Sequence, residues 1–128
     1  MSRLKAAAIV ITVTALSGCG SFVPTVKMHE LSEAQRHNVR QLQIYNQTQL
    51  LNKNYAVLTI VEGNSCQNKV WDPPASRTSA IEQLKFHAFE AGGEGIANIQ
   101  CSGREGTSVR TNCWELISCT AEVIKFNR

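Results

Sequence analysis

The chain has 128 residues, of which 43% are hydrophobic and 18% charged, the balance of one folded domain with a short extension rather than of a disordered tail or a large enzyme. Its formal charge is +3, and two of the cations, Arg3 and Lys5, stand ahead of the first apolar run, so the remainder is close to neutral. A nucleic-acid footprint and the repeated long apolar spans of a multi-pass membrane protein are both excluded.

Arg3 and Lys5 precede an uncharged apolar run from Ala6 to Leu16, and the next charge is Lys27. A basic start followed by a short greasy core is the pattern of a secretory signal peptide. As a helix that run covers roughly 16 Å, about half the hydrocarbon core of a bilayer, so it is too short to span. It ends in Leu16-Ser17-Gly18-Cys19, which resembles the bacterial lipobox, whose cysteine is alkylated by diacylglycerol after cleavage. Residues 1–18 are therefore read as a lipoprotein signal peptide and Cys19 as the lipidated first residue. Two or more acyl chains hold a protein firmly, at about 0.8 kcal/mol per buried methylene. Gly20, in place of the aspartate that favours inner-membrane retention in enteric bacteria, points to the outer membrane.

Residues 19–38 read as a tether, mostly polar, with a short helix between Met28 and Asn38 started by the capping-box spacing of Ser32 and Gln35. The domain is expected over 39–128. Leu42 and Ile44 alternate with glutamines, a modest strand signal, and Tyr55 to Val61 is a near-continuous apolar strand closed by the turn residues Glu62-Gly63-Asn64. Trp71-Asp72-Pro73-Pro74 cannot lie inside a helix, because the prolines lack donors and restrict their neighbours. A helix follows, with Ser79 and Glu82 in capping-box spacing and Gly92-Gly93 as a left-handed stop. Gly95 to Cys101 and Cys113 to Phe126 read as strands joined by a polar loop, 102–112. The fold class is α+β, a small sandwich of one helix on a mostly antiparallel sheet of about four strands.

With Cys19 carrying lipid, four cysteines remain: Cys66, Cys101, Cys113 and Cys119. Outside the cytoplasm they are expected to form two disulfides. Cys113 and Cys119 lie roughly 20 Å apart along one strand and cannot bond each other. Two pairings stay open, Cys66–Cys113 with Cys101–Cys119, or Cys66–Cys119 with Cys101–Cys113; a hairpin centred near Thr107 would favour the second. The spacings lack both the Cys-x-x-Cys of a redox site and the knuckles of a zinc site.

Asn64-Ser65-Cys66-Gln67, the Pro73-Pro74 pair, an amphipathic helix and then Cys101, Cys113 and Cys119 together resemble the RcsF family of outer-membrane lipoproteins, over about Ile44 to Ile124. The resemblance implies a small α/β sandwich with non-consecutive disulfides, Cys66–Cys113 and Cys101–Cys119. It also implies a sensor of envelope stress that is not an enzyme and uses no cofactor or metal. Such proteins are assembled with outer-membrane β-barrel proteins by the barrel-assembly machinery. Under stress their domain engages an inner-membrane repressor, IgaA, from the periplasmic side and so releases the Rcs phosphorelay. In that family the linker is long and rich in proline and lysine. Here Pro24 is the one proline before Pro73, and a tether of about twenty residues reaches at most roughly 70 Å.

On the helix, Ala80, Ile81, Leu84, Ala88 and Ala91 share one face and read as core. Phe86 falls nearly opposite, with Phe89 on the flank, and these two are the candidate partner contacts, since buried aromatics dominate protein interfaces. His87 reads as an ordinary surface residue, His29 and His37 lack a third ligand, and Trp71 and Trp114 are expected to pack beside the disulfides. The carboxylates are scattered, and neither a Gly-x-Ser-x-Gly motif nor a phosphate loop occurs. If the four domain cysteines are all paired, titration of the native protein finds no accessible thiol, and replacing Cys66 or Cys101 costs about 2–5 kcal/mol of stability in denaturant titration.

Overall fold

The computed structural model describes residues 25–108 and 113–128. In chain order these form a single 3-10 turn (Met28–Glu30), α1 (Glu33–Gln41), β1 (Gln43–Tyr45), α2 (Gln47–Leu50), β2 (Tyr55–Gln67), α3 (Arg77–Glu90), β3 (Gly95–Ser108) and β4 (Cys113–Phe126). The fold is α+β; among the described residues α1 and α3 correspond to the two helices expected, in the tether and on the sheet, and α2 is an addition. The four strands lie in the order β1-β3-β4-β2. β4 pairs antiparallel with both β2 and β3, while the short β1 runs parallel to β3, so the sheet is mixed.

Neighbouring residues on a strand point to opposite faces of the sheet. Val123 and Ile124 on β4 are both fully buried, so this end of the sheet is covered on both sides. On one face α3 packs Ala80, Leu84 and Ala88 against Ile96, Cys119, Ala121 and Val123. On the other, Ile124 meets Ala97 and Leu50 from the end of α2, with Tyr45, Tyr55 and Phe126 around them and the Tyr45 and Phe126 rings edge to face at 5.3 Å. The Asn46–Gln49 capping box starts α2, a signal the sequence reading passed over. Of the expected α3 face, Ala80, Leu84 and Ala88 are buried and Ile81 is half-buried against the core, but Ala91, past the last helical residue, is exposed.

Local chemistry explains where the elements start and stop. Ser32 and Gln35 form a reciprocal capping box on α1. α3 begins one turn earlier than Ser79 and Glu82 suggest. Ser76 is its cap, and the Ser76 hydroxyl accepts from the Ser79 N–H at 3.1 Å. At the other end, the Gly93 N–H donates to the Ala88 carbonyl and the Gly92 N–H to the Phe89 carbonyl, with Gly92 at φ 77°, the left-handed stop expected of the glycine pair.

The expected turn at Glu62-Gly63-Asn64 does not exist, because β2 continues through it to Gln67. Gly63 serves close approach instead. A Cβ there would lie 2.3 Å from the Ala80 carbonyl oxygen and 2.8 Å from the Leu84 nitrogen, so the missing side chain is what lets α3 cross β2. β3 likewise runs on to Ser108, into the stretch expected as loop.

This longer hairpin decides the cysteine pairing. Ser108 stands opposite Cys113, so the hairpin is centred beyond Thr107, and Cys101 falls opposite Cys119. The disulfides are Cys66–Cys113 and Cys101–Cys119, the pairing that the family resemblance implies and not the one a hairpin centred at Thr107 would favour. Cys113 and Cys119 are buried, Cys66 is half-buried and Cys101 is exposed. Gly63→Ala is expected to cost about 1–3 kcal/mol by forcing α3 off the sheet; a denaturation midpoint equal to that of the parent protein would show that the helix can shift without loss.

Candidate interaction surface

The expected site residues do not converge on one place. Cys19 lies outside the described residues. Phe89 is half-buried and packs against the main core, so its ring is committed to the fold. Phe86 is half-buried, its ring edge to face with His87 at 5.5 Å. His29 is exposed and lies 3.9 Å from Glu30, and among the described residues no three histidine, cysteine or acidic side chains gather as a metal site would require.

The face of the sheet opposite α3 carries a shallow depression of about 450 Å³ lined by Glu62, Gln100, Cys101, Ser102, Leu116, Ser118 and Thr120. At its centre the Ser118 hydroxyl contacts Glu62 at 3.2 Å and also Asn64, a network that satisfies partly buried polar groups.

The feature that stands out lies at the end of the sheet held by the Cys66–Cys113 disulfide. After Gln67 the chain enters a short loop built around Asp72. The Asp72 carboxylate accepts the backbone N–H groups of Asn68 at 3.4 Å and Lys69 at 3.0 Å. The Asp72 N–H donates to the Lys69 carbonyl at 3.1 Å, and the Gln67 side-chain amide donates to the Asp72 carbonyl at 3.0 Å. Pro73 and Pro74 restrict the exit, and the Ser76 N–H is tied to the Ser65 hydroxyl at 3.0 Å.

This framework uses the polar groups of the loop and turns its apolar side chains outward. Val70 is 72% and Trp71 79% exposed, and the Lys69 ammonium lies 5.7 Å from the centre of the Trp71 ring. Trp114, next to the disulfide-bonded Cys113, is 45% exposed. The expectation that the tryptophans pack beside the disulfides is therefore corrected: the Asp72 loop directs Trp71 to solvent, and its ring is met by a cation rather than by the core. Val70 was missed altogether. The available signal was an apolar pair set between Asn68 and Asp72-Pro73-Pro74, residues that make a turn and leave a side chain no interior to enter.

No family model matches the chain, and no curated protein matches it. Among solved structures it is similar to a protein of unknown function of the DUF74 family from Pediococcus pentosaceus ATCC 25745. That likeness covers 66% of this chain and 98% of the other, at 15% identity and a TM-score of 0.48.

Proposed function

We propose that this chain is a lipid-anchored outer-membrane protein, its domain in the periplasm, that signals envelope stress to a phosphorelay through protein–protein contacts, with the Val70–Trp71 tip as its docking element. The observation that carries the docking role is a tryptophan and a valine held in solvent by a hydrogen-bonded loop at the foot of a disulfide. Ordering costs are already met in such a loop, so more of its contact energy is available to a partner. Tryptophan is also among the residues that most often dominate interfaces.

The leader, the lipobox-like Leu16-Ser17-Gly18-Cys19 and the RcsF-like cysteine pattern support the signalling reading. They make outer-membrane β-barrel proteins, the barrel-assembly machinery and an inner-membrane repressor similar to IgaA the partners of choice. A second reading, an accessory lipoprotein of envelope assembly without a signalling role, is favoured by the short stretch between Cys19 and Val26, where the chain is already bonded to the domain.

Replacing Trp71 with serine tests the proposal. The position is exposed, so the folding midpoint is expected to move by less than about 0.5 kcal/mol. Loss of a dominant contact worth about 2 kcal/mol weakens partner binding about 30-fold, and stress-induced transcription falls with it. Full induction in the variant would remove the tip from the mechanism. Unchanged induction after deletion of the whole gene would favour the accessory reading.

A further inference from the structure

We infer that the side chain of Gln83 is a latch that sets how far the domain can move from its lipid anchor, an inference that rests on the reading of Cys19 as the anchored residue. Gln83 sits on α3 and is only 6% exposed, although it is polar. Its amide oxygen accepts the Val26 N–H at 2.6 Å and its amide nitrogen donates to the Val26 carbonyl at 2.6 Å. One primary amide thus satisfies both backbone groups of a residue 57 positions away, as a neighbouring strand would.

The rest of the segment is joined to the domain much less firmly. Its ion pairs, Lys27 with Glu30 and Arg36 with Glu33, lie within the segment itself. So does the Ser32–Gln35 capping box, and all of these survive if the segment lifts away. Between α1 and α3 runs a partly open groove of about 150 Å³ lined by Met28, Arg36, Val39, Arg40, Glu82 and Lys85. Firm attachment resumes at Val39, 1% exposed, and Leu42, 6% exposed and part of the main core. Residues 26–38 therefore form a strap, fastened at its far end by the core and at its near end by Gln83.

The two states differ in reach. With the latch closed, the seven residue steps from Cys19 to Val26 can span at most about 25 Å. With it open, free chain extends to Asn38 and the limit rises to at most about 70 Å, less whatever helix α1 retains. Partners close to the anchoring membrane meet the closed form. A partner beyond that distance selects the open form and is bound at the expense of two partly buried hydrogen bonds. The strap gives one short tether two reaches, and opening it recovers the full length of residues 19–38.

The test compares the lipidated full-length protein with Gln83→Leu and Gln83→Glu in phosphatidylethanolamine–phosphatidylglycerol vesicles. Amide hydrogen exchange is followed at Val26 and along β4, together with energy transfer from a dye at exposed position 53 to a dye in the membrane. Gln83→Leu is expected to speed Val26 exchange at least tenfold and to lower energy transfer, while β4 amides keep their protection. Gln83→Glu keeps the acceptor and loses the donor, so its acceleration is smaller. Unchanged Val26 exchange would overturn the latch, as would acceleration at Val26 and β4 together, which would make Gln83 a structural residue of the core. Failure of the lipidated chains to hold to vesicles would instead refute the anchor, and with it the reach, while the exchange comparison still decides the latch.

Discussion

β4 is buried on both faces where Val123 and Ile124 stand side by side, and most of the architecture follows from covering it. A domain of this length buries only a modest core. One long helix supplies the cover on one face, and a short one, α2, with three aromatic rings, supplies it on the other. α3 can approach closely because Gly63 leaves room for its backbone, and β1 can join β3 in parallel because α2, β2 and α3 lie between them in the chain, a crossover rather than a hairpin turn. The two disulfides then join β4 to its partners on either side, Cys113 to β2 and Cys119 to β3.

Stapling has a consequence at the far end of the sheet. A loop that exposes a valine and a tryptophan gains nothing from burial, so its conformation has to come from elsewhere. Here it comes from the Asp72 carboxylate, the Gln67 amide, two prolines and the Cys66–Cys113 bond beneath. The Gln67 amide, the Asp72 carboxylate and the backbone of Asn68, Lys69 and Asp72 bond one another, and Val70 and Trp71 face outward. That is the reverse of a loop designed only to connect two elements, and it is the physical basis for reading the tip as a surface made for contact.

Much of this was legible in the residues. The apolar runs marked the strands, the Ser32–Gln35 spacing marked α1, Gly92 marked the end of α3, and Ala80, Leu84 and Ala88 marked its buried face. What was not legible depended on partners distant in the chain. Glu62-Gly63-Asn64 has the composition of a turn, and only the crossing of α3 shows why a glycine stands inside a strand. The cysteine pairing followed from the family resemblance, but not from the guessed hairpin register, which a shift of a few residues reverses. Phe89 falls on the flank of α3 by helical periodicity yet packs against the main core. Gln83 carries no sequence signal at all, because its role exists only once Val26 is brought to it.

The central claim, that this domain acts through its exposed tip, is tested most directly by placing a photoreactive residue at position 71 of the lipidated protein in living cells. Crosslinked partners are identified before and after damage to the outer membrane. An inner-membrane protein is expected to be captured only under stress, with no such product from a control at exposed position 53. Capture of barrel proteins alone, unchanged by stress, or no product from position 71 while other surface positions yield partners, would contradict it.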